Sequence, residues 1–311
     1  MHLEHLQFLS QKVFAKHPDE VIRKTIGICN EVYELRYGSE GYILRMNTQK
    51  NLLYGTHKFL PLFKELKIKT PDIIAEDYTQ TDLPFCYQIL TKLPGQDLKL
   101  AIEDMSTTEL KELAVDIAAI FDKFNSRPAQ SDFGGLTGMH EESIPSMLAV
   151  VQNQRRGIWQ SNRRFQVLEQ VSFDRLDELI NEHQDYFLQL VPKLYYDDMS
   201  AKNIMIHEGK FEGLVDLDFL RKGDYIEVLG AIKAVWYGKE HGRIYLDEII
   251  RIQALNKTQQ KLINLYAIIH LMMWTSEAGN AFNGNASTEI NWRAVNISRA
   301  KILALYNEIK G

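Results

Sequence analysis

The stretch Tyr195-Tyr196-Asp197-Asp198-Met199-Ser200-Ala201-Lys202-Asn203-Ile204-Met205-Ile206 is followed, after a short polar gap, by Leu214-Val215-Asp216-Leu217-Asp218-Phe219. Together the two decide how the rest of the chain reads. Acidic and amide side chains stand at the edges of two apolar runs. If 203–207 and 211–217 pair as a hairpin, Asn203 and Asp216 come to the same open end. Oxygen ligands converging there suit Mg²⁺, which takes a few carboxylate or amide oxygens plus phosphate and water. Asp198, near the metal but not on it, is placed to take a proton from an attacking hydroxyl. That is the division of labour in kinase-type phosphoryl transfer. Asp and Asn are also ordinary turn and cap residues, so Asp-x4-Asn alone carries little. The combination of Asp, Asn, apolar strand, turn, apolar strand and Asp-x-Asp is much narrower.

Working outward, the C-terminal side from 226 reads as nearly all helix, with Asn256-Lys257-Thr258-Gln259 as a helix start. On the N-terminal side, Ser106-Thr107-Thr108-Glu109 is a capping box that opens an amphipathic helix to Asn125. Further helices are expected near 143–157 and 173–190, after a Gly-rich loop, DFGGLTGMH. Residues 21–48 differ: Val, Ile, Tyr and Thr broken by Gly27, Gly38 and Gly41 predict short antiparallel strands, with a hairpin turn over 37–41. A helix is expected over 55–66, and two more strands in IIAEDY and PFCYQILTKL. The expected fold is α+β and two-lobed. Residues 1–91 form a small antiparallel β-sheet lobe, and residues 92–311 a larger, mostly helical lobe carrying the hairpin.

Bulk properties bound the function classes. The chain has 311 residues, 45% hydrophobic and 25% charged, with a net charge of −5. Net acidity argues against nucleic-acid binding, which needs a basic face. No apolar run is long enough for a transmembrane helix, and the start, MHLEHLQFLSQKVFAKHPDE, reads as a helix rather than a signal peptide. The two cysteines, Cys29 and Cys86, lie far apart in apolar settings, which fits a reducing cytoplasm. No membrane contact and no obligate protein partner is expected.

The motif resembles the aminoglycoside phosphotransferase and choline kinase family, a branch of the protein-kinase-like fold. That family reads H-G-D-x-H-x-x-N, a strand pair, I-D-[WF]-[ED], then G-D. Here the same places carry Y-D-D-M-S-A-K-N, V-D-L-D and Gly223-Asp224. The resemblance implies Asp198 as catalytic base and Asn203 and Asp216 as magnesium ligands, with Asp218, the second acidic position, supporting the metal site. It also implies ATP or GTP as phosphate donor and a small-molecule hydroxyl as acceptor. In the small lobe, Gly27-Ile28-Cys29-Asn30-Glu31-Val32-Tyr33 is similar to the family's turn over the nucleotide phosphates, which brings in Gly27 and Asn30. Ile43-Leu44-Arg45 matches its next strand, with Arg45 on phosphate where protein kinases use Lys. The strand through Leu90, followed by Leu93-Pro94-Gly95, resembles the hinge that carries adenine.

The chain departs from the pattern at Tyr196, Asp197 and Ser200, which stand for His, Gly and His. Spacing to Asn203 selects Asp198 as base; Asp197 is read as a turn cap, with a substrate amine as the other option. The helix Glu expected to hold the strand Lys is absent, and Thr56 or His57 stands at its place. On the acceptor side, His270, Trp274 and Glu277 fall on one helix face; with Trp236 and Tyr237 they are candidates for the acceptor wall, or plain core and surface. Other readings stay open. A non-catalytic nucleotide-binding protein on the same fold is favoured by the missing Glu and disfavoured by joint retention of Asp198, Asn203 and Asp216. A metal-dependent glycosyltransferase would use Asp216-Leu217-Asp218 but needs alternating strands and helices before it. A protein kinase needs H-R-D, D-F-G and A-P-E, which are missing.

Overall fold

The structure is a computed structural model and describes residues 3–24, 30–199, 201–280 and 288–311. Helix α1 (Leu3–Phe14) precedes strands β1 (Glu20–Lys24), β2 (Glu31–Tyr37) and β3 (Glu40–Asn47). A 3₁₀ turn, Lys50–Leu52, leads into α2 (Tyr54–Glu65), then β4 (Ile73–Asp77) and β5 (Cys86–Thr91). The five strands form one antiparallel sheet in the order β1-β2-β3-β5-β4. The expected β2–β3 hairpin closes on Tyr37 opposite Glu40, leaving Gly38-Ser39 as a two-residue turn. Gly38 has φ +61°, the conformation that a II′ turn demands at its first central residue.

Cross-strand partners share a face, so the register sorts this sheet's side chains. Tyr33, Leu35, Leu44, Tyr87 and Ile89 lie on one face and bury themselves with Leu6 and Leu9 of α1. The opposite face carries Glu34, Ile43, Arg45, Gln88 and Leu90. A buried carboxylate there needs partners. Glu34 has three, with Lys24 Nζ at 2.6 Å, Arg36 Nε at 2.8 Å and Lys92 Nζ at 2.8 Å.

The chain then becomes helical, as expected, but with more sheet than the sequence suggests. β6 (Gln96–Asp97), α3 (Leu98–Ala101), α4 (Thr107–Asn125), β7 (Gly134–Leu136), α5 (Met147–Asn162), α6 (Gln170–Glu182) and α7 (Gln184–Gln189) come first. β8 (Lys193–Tyr195), β9 (Ile204–His207), β10 (Lys210–Leu214) and β11 (Leu220–Gly223) follow, then α8 (Ile226–Trp236), α9 (Glu240–Ile252), α10 (Lys257–Ser276) and α11 (Trp292–Lys310). The expected capping box is formed at Ser106/Glu109, and the helix start expected at Asn256 is a second one, Asn256/Gln259. The helix expected at 143–157 starts at Met147, where the Ser146 side chain caps Ala149 N–H after Pro145. The helix expected at 173–190 is broken at His183 into α6 and α7. Instead of one hairpin there are two three-stranded sheets, β10-β9-β6 and β7-β11-β8. Their extra strands are only two to four residues long and pair with distant segments, so no local pattern marks them.

One large hydrophobic core fills the helical part, and α2 belongs to it. Phe59 and Phe63 of α2 are buried there, with the Phe63 ring 5.7 Å from Phe124 and 5.6 Å from Tyr196. The helix that follows β3 is thus anchored in the large core and not in the core beneath the sheet that holds β3. No helix among the described residues is long and apolar enough to cross a membrane.

Although burial pushes Glu34 upward, its hydrogen bonds to Lys24, Lys92 and Arg36 hold it down at about 2. A depressed carboxylate adds stability above its unfolded value and loses it as pH falls toward the folded one. Glu34→Gln is expected to destabilise the protein by about 2 kcal/mol at pH 7, discounted for the partly exposed lysines. Chemical denaturation at several pH values should show that deficit shrinking below pH 4.5, the ordinary carboxyl value.

Candidate active site

The site is built on the β9–β10 hairpin. Its turn, Glu208-Gly209, has φ of 50° and 72°, the two positive values of a I′ turn. At the open end Val215 N–H donates to Asn203 O at 3.0 Å, so Asn203 and Asp216 do meet there. The Asn203 amide donates to the Asp198 carbonyl at 3.0 Å, which draws the 198 loop onto the same end. Asp198 keeps a carboxylate 38% exposed, with Lys202 Nζ at 3.8 Å. Ser200 lies outside the described residues.

Asp216 sits at φ +64°, a left-handed conformation uncommon for a residue with a Cβ. Such strain persists only where neighbours over-determine it. Tyr196 supplies that restraint. Its hydroxyl donates to the carbonyls of Val215 (2.9 Å) and Asp216 (3.2 Å), and its ring is wholly buried against Phe63. The residue standing at the family's first His therefore shapes the loop after the hairpin from the α2 core.

Arg45 reaches from β3 to this loop and is buried. One nitrogen, Nη1, donates to Thr56 Oγ1 at 3.0 Å and Gln88 Oε1 at 3.3 Å. The other, Nη2, donates to Asp216 Oδ1 at 2.8 Å and to Asp218 Oδ2. Burial alone would lower the Arg45 pKa, but Asp218 and Asp216 raise it above the usual guanidinium value. The remaining Asp218 oxygen accepts from Thr56 N–H (2.8 Å) and Thr56 Oγ1 (2.7 Å). Thr56 is in the first turn of α2, where unpaired N–H groups favour an anion. The missing helix Glu is thus answered by a neutral hydroxyl, a helix N-terminus and a carboxylate from the opposite side. His57, the other residue at that place, turns away to Glu76 Oε1 at 2.5 Å.

Several expected roles change on this geometry. Asp218 has both oxygens engaged by Arg45 and Thr56 and is 2% exposed, so it anchors Arg45 and is no open ligand. Asn30 spends its side chain inside the protein, donating to Leu52 O (3.2 Å) and accepting from Asn47 Nδ2 (3.0 Å). It ties the start of β2 to the end of β3 and to the 3₁₀ turn. Gly27 lies outside the described residues. Leu90 sits within the ladder, opposite Ile43 of β3 and Ile73 of β4. Its side chain shares the sheet face of Arg45, while the backbone leaving the sheet begins at Lys92.

Asp197 is no turn cap. It accepts from Arg221 Nε at 2.9 Å, while Arg221 Nη1 reaches Glu227 at 3.3 Å. Glu227 also accepts from Tyr195 Oη (2.6 Å) and Gln154 Nε2 (2.7 Å), and its carbonyl lies 3.3 Å from His270 Nε2. Burial pushes the Asp197 carboxyl up, with Arg221 opposing; burial also keeps His270 below its ordinary value. Neither Arg221 nor Glu227 was singled out in the sequence. The available signal was a lone Glu at the head of the apolar helix IEVLGAIKAVW, which requires a buried partner. Trp274 packs its ring 5.5 Å from His270 and lines a cavity of about 330 Å³ with Glu277, whose carboxyl burial pushes up. Trp236 and Tyr237 line a different groove, so the expected acceptor wall divides in two. Asp224, of the expected Gly-Asp pair, accepts from Tyr186 (3.0 Å), Tyr266 (3.1 Å) and Ile226 N–H (3.1 Å), fixing the start of α8.

The contact between α2 and the Asp218 loop leaves no room for a side chain at Gly55, where an added Cβ would fall 2.1 Å from Asp218 O. Gly55→Ala should destabilise by about 1–3 kcal/mol, the usual cost of overpacking. Gly157, inside α5 with nothing within 4 Å of an added Cβ, supplies the contrast: Gly157→Ala should stabilise by about 0.5–1 kcal/mol. Thermal denaturation of the two variants reads both.

The fold recurs in solved structures. A thermostable mutant of the aminoglycoside phosphotransferase APH(4)-Ia, in ternary complex with AMP-PNP and hygromycin B, superposes with a TM-score of 0.71 at 14% identity, covering 97% of each chain. A GDP complex of an aminoglycoside 2′-phosphotransferase-IIIa mutant gives 0.68 at 14% identity, covering 99% of this chain and 97% of that one. The streptomycin–ATP–APH(2″)-IIa ternary complex gives 0.63 at 13%, covering 98% and 96%. No curated protein matches the sequence. The family model described as the phosphotransferase enzyme family matches residues 25–255, which span β2 through α9 and every residue of the cleft, and the chain belongs to that family.

Proposed function

We propose that the protein transfers the γ-phosphoryl group of ATP or GTP, with Mg²⁺, to a hydroxyl of a small molecule. The observation that carries this reading is the convergence of Asp198, Asn203, Asp216 and Arg45 on the open end of one hairpin. Among the described residues no three His, Cys, Asp or Glu side chains converge on one metal position. One carboxylate, Asp216, and one amide, Asn203, are the donors at hand. That set fits Mg²⁺, which uses one or two protein oxygens and completes its shell with phosphate and water. With the Asn203 nitrogen committed to the Asp198 carbonyl, its oxygen is the atom left for the ion. When bound, Mg²⁺ neutralises the charge spread over the phosphates during transfer.

The chain's own residues do the rest by position and charge. Asp198 accepts the proton of the acceptor hydroxyl as that oxygen bonds to the γ-phosphorus and the bond to the departing nucleoside diphosphate breaks. Arg45, held against rotation by Asp218 and Thr56, presents a fixed positive charge to the donor's phosphates. Leu90, on the Arg45 face of the sheet, offers an apolar wall to the nucleotide base. We place the division between the two lobes at 91–92, with the donor between them. The acceptor lies on the Trp274–Glu277 side, joined to the 197–198 loop through His270, Glu227 and Arg221. The free, buried thiol of Cys86 fits a cytoplasmic site of action.

A second reading, a nucleotide-binding protein without turnover, draws on the Arg45–Asp216 ion pair, which ties the phosphate-binding cation to a proposed metal ligand. One experiment separates the two: diphosphate release from ATP or GTP with Mg²⁺, across aminoglycosides, macrolides, amino alcohols, sugars and nucleosides. Release stimulated by one class and lost in Asp198→Asn, with nucleotide binding kept, is the expected result. Nucleotide binding without release in any class favours the second reading. Asp216→Ala should remove the Mg²⁺ dependence of nucleotide affinity; an unchanged dependence takes Asp216 off the metal. Tyr196→Phe should cost about 1–2 kcal/mol of stability, through loss of the one hydroxyl proton shared between the Val215 and Asp216 carbonyls, and should lower kcat more than KM.

A further inference from the structure

A groove of about 930 Å³ opens between the end of α8, one face of α9 and the first turns of α10. It is separate from the cleft. The α10 residues on it, Lys257 to Asn264, lie at the opposite end of that helix from Trp274 and Glu277. At 1.5 Å per residue, Lys261 and Trp274 are about 20 Å apart along the axis. No residue of the 196–218 loop lines the groove.

Its walls are apolar and aromatic: Trp236 and Tyr237 from α8, Leu246 and Ile250 from α9, Ile263 from α10. Its charge is opposite to that of the molecule. Five cations line it, Lys233, Lys239, Arg243, Lys257 and Lys261, against three anions, Glu240, Asp247 and Glu308, in a chain of net charge −5. Two of the cations are neutralised in place. Lys233 pairs with Glu308 at 2.9 Å, and Arg243 with Asp247 at 3.2 Å. Lys239 has only a loose contact, 4.0 Å, with the exposed Glu103. Lys257 and Lys261, one turn apart on α10, have no ion pair among the described residues. A further lysine, Lys301 of α11, is held below its ordinary value first by burial and then by the nearby Lys239.

Concave, mostly apolar sites of this volume hold small molecules, with a few charged groups fixing orientation. We propose that this groove binds a small organic anion with an aromatic or other apolar body, its ring against Trp236 and Tyr237 and its acidic group between Lys257, Lys261 and Lys239. Apolar wall and cationic rim are both needed: a bare inorganic anion leaves the aromatic surface wet, and a neutral ring leaves Lys257 and Lys261 without a counter-ion. The inference does not rest on the phosphotransfer reading.

The probe is anilinonaphthalene sulfonate, followed by its fluorescence on the full chain, with neutral phenylnaphthylamine and inorganic phosphate as controls. The expected result is saturable one-to-one binding of the sulfonate, with either control at least about tenfold weaker, corresponding to about 1.4 kcal/mol. The double variant Lys257→Ala/Lys261→Ala removes only exposed side chains, so it should melt like the parent. It should weaken the sulfonate at least about tenfold and leave Mg²⁺-nucleotide affinity unchanged. Absence of saturable binding, equal binding of the neutral ring, or unchanged affinity in the double variant would each overturn the proposal. The last would assign the dye to another surface such as the nucleotide cleft.

Discussion

A guanidinium taken out of water has to be met by anions, and the arrangement around Arg45 follows from that demand. Arg45 belongs to the small sheet, Thr56 to a helix rooted in the large core, and Asp216 and Asp218 to the loop after the hairpin. The desolvation of Arg45 is offset only if all three come together. The ion cluster therefore acts as a registry device between segments that lie far apart in the chain. It fixes which oxygen of Asp218 meets which nitrogen. It also leaves Asp216, 40% exposed, as the member of the cluster that faces outward. The strained backbone of Asp216 is affordable because Tyr196 and the hairpin hold it from the other side.

A second, parallel network runs behind the first. Asp197 and Asp198 are neighbours in sequence but face different environments. Asp198 lies at the mouth, while Asp197 is drawn inward to Arg221 and through it to Glu227 and His270. Two adjacent carboxylates are thereby separated in role by their surroundings. The inner one is part of the scaffold that joins the 197–198 loop to α8 and α10.

How much of this was legible depended on the range of the interaction. The hairpin could be read because two apolar runs and the polar gap between them are local, and the starts of α4 and α10 because their four capping residues are contiguous. The meeting of Asn203 with Asp216 followed from simple register. The segments β7, β8 and β11 were not legible, since three- and four-residue strands owe their existence to partners far away in the chain. For the same reason Asp197 was misjudged as a turn cap, because its partner Arg221 lies on another strand. The role of Asp218 could be inferred only by analogy, and the fold spends its oxygens differently because Thr56 and the start of α2 stand where the family has a glutamate.

The placement of Phe59 and Phe63 has a mechanical meaning. A helix whose apolar face is interlocked with Phe124 and Tyr196 cannot ride with the five-stranded sheet, although it is connected to β3 by only a few residues. If the sheet rocks relative to the rest, the slip plane passes between β3 and α2, and the polar bonds of Arg45 are what must slide across it. Packed aromatic rings resist such displacement far more than hydrogen bonds, which can exchange partners one at a time. The chain thus puts its exchangeable contacts between the five-stranded sheet and α2, and its rigid ones where the loops bearing Asp198 and Asp216 are held.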